Sequence, residues 1–179
     1  SSANRGTGYA YLISCGNEAG LRVPEYYEFM MNEPSVKVMA GFLETVRYPE
    51  QMAKVGRMSV ENSKPIVILY TGRSATGQKA AAAHSGALAS GAAMVEAFYR
   101  KNHFLTVKSF DEQAEALELL SYLKDVELTS DKIGCTTISG GQLGFTCDVA
   151  EDVGLQFANV GEKTIERLKK VLPDFATAA

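Results

Sequence analysis

The sequence predicts an α/β fold in three layers, with a parallel sheet covered by helices on both faces. Three observations predict it. Strand-like and helix-like segments alternate along the 179 residues. The strand-like segments are continuous apolar runs, the pattern of strands buried on both faces. Glycine-rich turns follow several of these runs, as where a strand turns tightly into the next helix.

Taken in order, Tyr9 to Ser14 is an apolar, aromatic run that ends at Cys15-Gly16-Asn17 and reads as a buried strand entering a loop. Pro24 fits the first turn of a helix in which Tyr27, Met30 and Met31 recur at helical spacing. Val36 to Leu43 is a second apolar run, ending at Glu44. Pro49 to Val60 reads as a helix, with Met52, Val55 and Met58 about one turn apart. Pro65 to Tyr70 is the clearest strand, and Thr71 to Gly91 follows it at once. Ser90 is placed to cap a helix whose inner face is Ala93, Met94, Ala97 and Phe98. Phe104 to Val107 is a short strand. Ser109 and Glu112 form a capping box opening a helix with Ala114, Leu117, Leu120 and Leu123 on one face.

The polar stretch Asp125 to Asp131 predicts a boundary between a first domain, 1–125, and the beginning of a second, 126–179. After it come a strand at Ile133 to Ile138, the loop Ser139-Gly140-Gly141-Gln142, a helix through Asp152, a strand at Leu155 to Val160 and a helix at Lys163 to Leu172. The architecture is flavodoxin-like. The abrupt start, SSANRGTG, suggests a piece of a longer chain.

Composition excludes several classes of function. A net charge of −3, a pI near 5.5 and scattered Lys and Arg give no footprint for nucleic acid. Cys15, Cys135 and Cys147 show no CxxC spacing, so neither a disulfide framework nor a zinc site is expected, and buried thiols in a reducing cytoplasm are. No apolar run approaches the ~20 residues that span a bilayer.

Parallel sheets collect ligands at the carboxyl ends of their strands. Gly16-Asn17, Glu44, Gly72-Arg73-Ser74 and Ser139-Gly140-Gly141 all fall at such ends and could surround a crevice. A Gly-rich turn entering a helix exposes N–H groups suited to phosphate, as at Ser139-Gly140-Gly141 and at the Ser90 helix start. His84 lies in a run of small residues with room for two partners in turn. His103 stands at a helix end as a partner of the helix dipole.

Gly72-Arg73-Ser74 followed by AAAAHSGALAS, Ala80 to Ser90, resembles the phosphohistidine segment of the nucleoside-diphosphate-forming acyl-CoA synthetases, relatives of succinyl-CoA synthetase. Cys15-Gly16-Asn17 is similar to that family's SLGN turn, Lys64-Pro65-Ile66-Val67 to its KPVV strand, and Ser139-Gly140-Gly141 to Gly154 to the Gly-Gly turn and helix end of its next flavodoxin-like domain. The resemblance implies a reversible reaction through an acyl phosphate and phospho-His84, with Glu44 as the carboxylate partner of the histidine. It also implies CoA and ATP or ADP with Mg as ligands, held in part by Ser85 and Gly86 beside the histidine and by the strand-end residues. The CoA-binding and ATP-grasp domains are expected elsewhere in the polypeptide or on a partner subunit, and an oligomer is expected. The alternative is a module that binds an acyl-CoA or a partner domain without catalysis, as in relatives that have lost the histidine.

Overall fold

In the computed structural model, residues 8–79 and 91–173 are described. The chain divides into two compact units, Ser1–Val126 and Glu127–Ala179. In the first lie α1 (Val23–Met31), β1 (Met39–Leu43), α2 (Pro49–Glu61), β2 (Ile66–Tyr70), α3 (Ala92–Lys101), β3 (Leu105–Val107) and α4 (Phe110–Leu123). The three strands form one parallel sheet in the order β1-β2-β3, with Gly41 opposite Ile68 and Val67 opposite Leu105. The fold is α/β with helices flanking a parallel sheet, as the apolar runs predict.

Sequential strand order with right-handed crossovers puts consecutive connecting helices on one face. On that face Met39, Ile66, Ile68 and Tyr70 pack with Tyr27 and Met31 of α1, Met52 and Val55 of α2 and Tyr99 of α3. The other face carries Val67 and Leu69, both buried, and receives α4. There Phe110 packs on Phe42 at 5.2 Å between ring centroids. Gln113, buried, donates from its side-chain amide to the carbonyls of Gly41 (3.0 Å) and Val67 (3.1 Å), one on β1 and one on β2.

Three polar residues explain local details of the first unit. Lys64 is buried and its ammonium donates to the carbonyls of Met31 (2.8 Å) and Glu33 (2.7 Å), satisfying the carboxyl end of α1 with a positive charge. At α4 the Ser109 hydroxyl accepts from the Glu112 amide (3.1 Å), while the Glu112 carboxylate reaches back to the Lys108 amide (2.7 Å). Both halves of the expected box form, shifted by one residue on the return bond.

Several expectations are corrected. Residues 9–14 form no strand; Leu12 is 92% exposed, and Tyr11 instead packs on Phe29 and donates to Glu33. The apolar run is there, but no described strand lies beside it. The second run enters the sheet only at Met39, because Val36 is held in a turn by Glu33. Ser90 lies outside the described residues, and Gly91 is the N-cap of α3 without a side-chain bond. The buried side of α3 is Tyr99, with Val95 and Phe98 packed beside it, whereas Met94 is exposed. Tyr99 sets that face because it contacts the rings of Tyr70, Phe98 and Phe104.

The second unit contains α5 (Gly140–Asp152) and α6 (Glu162–Lys169). Ser139 caps α5, and Gly154 closes it with φ +73°, its amide bonded to Glu151 and that of Leu155 to Ala150, a left-handed glycine stop. The two strands expected here reduce to one parallel bridge, Ile133 with Phe157. With so little sheet to cover, Cys135 and Cys147 are exposed, and Cys15 in the first unit is half-buried, so none of the three is the buried thiol expected.

Candidate functional site at the carboxyl ends of the strands

The turn after the exposed segment 9–14 is built on left-handed backbone. Gly16 has φ +44° and Glu18 has φ +59°, and the Glu18 amide closes the turn on the Cys15 carbonyl at 2.9 Å. Glycine takes that conformation freely, whereas for glutamate it is strained. Asn17 sits between them. The Glu18 carboxylate, whose side chain is 8% exposed, accepts from the Val23 amide at the start of α1 (2.9 Å) and pairs with Nε of Arg47 (3.4 Å). The Arg22 guanidinium stacks on Tyr48 at 4.4 Å from the ring centroid. These contacts join the Gly16-Asn17 turn to the loop that follows β1.

Glu44 is the first residue of that loop. The Thr71 amide donates to the Leu43 carbonyl at 3.0 Å, carrying the β1–β2 ladder one step past the strands. Glu44 therefore stands beside the turn Thr71-Gly72-Arg73. Its carboxylate is exposed and meets no hydrogen-bond or ion-pair partner among the described residues. Gly72 has φ +76°. The Ser74 hydroxyl accepts from the Gly77 amide (3.0 Å), which makes Ser74 the cap of the helical residues 75–79. Arg73 is exposed.

Glu96 of α3 ties the same end of the sheet from the other side. Its carboxylate accepts from the hydroxyls of Tyr70 and Thr106, each at 2.9 Å. The Tyr70 hydrogen bond, then that from Thr106, hold its carboxyl below the usual glutamate range, with Arg100 and Arg73 helping and partial burial opposing. The Tyr70 hydroxyl is pushed up by burial first and by Glu96 second. In the second unit, the Ser139 hydroxyl accepts from the Gln142 amide (3.4 Å) and Gly140 has open space around it.

Of the residues the sequence singles out, Gly16, Asn17, Glu44, Gly72, Arg73 and Ser74 lie in loops that these contacts stitch together. Ser139, Gly140 and Gly141 stand at the start of α5 in the other unit. His84, Ser85 and Gly86 lie outside the described residues. His103 closes α3 with φ +64°, and its exposed side chain lines an apolar cleft with Leu105, Leu120 and Leu123. Glu18, Arg47 and Glu96 carry the contacts and went unremarked in the sequence. Only the position of Glu18 directly after Gly-Asn hints at its role; a mid-helix glutamate such as Glu96 gives no signal.

The sequence matches the profile of the succinyl-CoA ligase like flavodoxin domain over residues 1–120. The chain belongs to that family. Among its curated relatives, an ADP-forming acetate–CoA ligase I of Archaeoglobus fulgidus is 31% identical over 173 residues, covering 96% of this chain and 24% of that protein. The alpha subunit of an ADP-forming acetate–CoA ligase II of Pyrococcus furiosus is 30% identical, with 94% and 36% covered. A trans-feruloyl-CoA synthase from an unknown prokaryotic organism is 29% identical, with 96% and 24% covered. The chain thus spans between 24% and 36% of the length of these three relatives. A solved structure of acetyl-coenzyme A synthetase 1 from Ca. Korarchaeum cryptofilum, dinucleotide forming and in complex with phosphate and ADP, superimposes with a TM-score of 0.80 at 27% identity, covering 92% of this chain and 35% of that one. The flavodoxin-like fold of the family agrees with the parallel sheet seen here. Among the described residues, no helix is long and apolar enough to cross a membrane.

Proposed function

We propose that this chain is the phosphoryl-carrying part of an ADP-forming acyl-CoA synthetase acting in the cytoplasm. Phosphate attacks the acyl carbon of the thioester, the C–S bond breaks, and CoA leaves as its thiol. A ring nitrogen of His84 takes the phosphoryl group from the acyl phosphate, and the P–O bond breaks to release the carboxylate. An oxygen of the ADP β-phosphate then takes the group, the P–N bond breaks, and neutral imidazole returns. Imidazole suits the task because it is nucleophilic near neutral pH and keeps the transfer potential of the group.

The reading is supported above all by the Thr71 to Leu43 hydrogen bond, which sets Glu44, free of other partners among the described residues, beside the turn Thr71-Gly72-Arg73 that precedes His84 in the sequence. A carboxylate there fixes the ring tautomer and stabilises the charged intermediate. In this reading Gly16, Asn17, Gly72, Arg73 and Ser74, with Ser85 and Gly86, hold the phosphorylated and CoA-bearing ligands, and Ser139-Gly140-Gly141 offers backbone N–H groups to phosphate. CoA-binding and ATP-grasp domains, in cis or on a partner subunit of an oligomer, complete the enzyme. Magnesium arrives with the nucleotide; among the described residues no three His, Cys, Asp or Glu side chains converge to hold a metal ion.

The full-length protein incubated with Mg-ATP is expected to gain acid-labile, alkali-stable phosphate on His84, and His84→Asn to abolish it. Phosphate persisting in His84→Asn overturns the proposal, as does acyl-CoA binding in calorimetry with no acyl-CoA synthesis.

A further inference from the structure

Arg47 reaches Glu18 through Nε at 3.4 Å. That contact is an ion pair, and among the described residues no hydrogen bond and no other ion pair engages the guanidinium. The holder is itself costly to keep. Glu18 adopts a left-handed backbone at φ +59°, a strained conformation for a non-glycine residue. Its carboxylate is almost fully covered and is anchored a second time by the Val23 amide. Strain of this kind persists where surrounding contacts enforce it, and here those contacts fix a cation three positions after Glu44. That end of the sheet already carries the Glu18 and Glu44 carboxylates, which repel an anionic substrate. A guanidinium there offsets that charge for a phosphoryl group, and the planar fork of arginine binds phosphate oxygens through two parallel N–H bonds.

We propose that Arg47 contacts a phosphoryl group of the substrate, with Glu18 as the positioning residue that fixes the guanidinium through Nε. The inference deepens the phosphoryl-transfer reading and rests on it for the choice of ligand. Two sources share the chemistry: inorganic phosphate, which becomes the acyl phosphate, and the phosphates of CoA.

The test uses the full-length protein and its Arg47→Ala, Arg47→Lys and Glu18→Gln variants, each checked for a cooperative thermal transition. Inorganic phosphate and CoA are titrated separately by calorimetry, and KM for each is measured in the acyl-CoA-consuming and acyl-CoA-forming directions. Loss of a charge-assisted pair predicts about a tenfold or greater weakening for Arg47→Ala in one of the two ligands, with kcat changed far less. Arg47→Lys keeps the charge without the fork and is expected to fall between, and Glu18→Gln to give a smaller rise in KM than Arg47→Ala. Weakening confined to inorganic phosphate assigns the contact to the reacting group; weakening confined to CoA assigns it to the carrier. Unchanged affinity and KM for both ligands in a folded Arg47→Ala protein overturn the inference, as does a wild-type protein that binds neither. Arg47-dependent phosphate binding in a protein that makes no acyl-CoA or ATP leaves this inference standing and removes the synthetase reading.

Discussion

Two stretches that both predict strands, Pro65 to Tyr70 and Ile133 to Ile138, end in opposite states. The first becomes β2, all five of whose residues are buried, between β1 on one side and β3 on the other. The second makes a single bridge to Phe157, and Ile138 is fully exposed. Local sequence proposes a strand, but neighbours on both edges and layers on both faces make one. The first unit supplies them to β2; the second unit, whose described residues hold two helices and one bridge, does not.

The sharpest way to break this comparison is truncation. Ile68→Ala should destabilise the first unit by about 2–5 kcal/mol, whereas Ile138→Ala should stay within about 0.5 kcal/mol of the parent in urea unfolding. Equal losses would mean that the second stretch is as well packed as the first. Next in size is Lys64→Met, which leaves the Met31 and Glu33 carbonyls without their donor and should cost about 1.5–3 kcal/mol. A loss near zero would show that water replaces the ammonium.

Tyr99→Phe tests the opposite case within the same core. The Tyr99 ring is buried, yet its hydroxyl meets no hydrogen-bond partner among the described residues. Its removal should be neutral or stabilising by up to about 1 kcal/mol, read from the urea midpoint at unchanged slope. A marked loss would reveal a partner for the hydroxyl. The smallest effect concerns acid. Because Glu96 is held below its ordinary value, its contribution is present above about 4.5, the unfolded carboxyl value, and disappears as pH falls through the lower folded value. The stability gap between the parent and Glu96→Gln should therefore be constant from neutral pH to about pH 5 and shrink below it. A gap independent of pH would exclude the ionised carboxylate as its source.

Much of the first unit was legible because its signals are local. Pro65 to Tyr70 is apolar throughout, Ser109 and Glu112 announce the start of α4, and the half-buried side of α4 includes Leu117, Leu120 and Leu123 as spacing predicts. Of the stretches that misled, residues 9–14 have no described strand beside them and 155–160 have only the bridge of Phe157 to Ile133, and no window of sequence reports a neighbour. At the site the same division holds. Glycines and Glu44 at strand ends could be read from the parallel-sheet rule, whereas the pairing of Glu18 with Arg47 joins two separate loops and depends on the backbone turn that brings them together.

Gln113 bears on how the sheet is assembled. Its amide reaches the Gly41 and Val67 carbonyls together only while Gly41 lies opposite Ile68 and Ala40 opposite Val67. A slip of β1 by one residue would turn its side chains to the other face and reverse the direction of its carbonyls, leaving a buried amide without one acceptor. Because one amide of α4 spans both strands, the helix is a check on their alignment: it seats fully only on a correctly paired sheet.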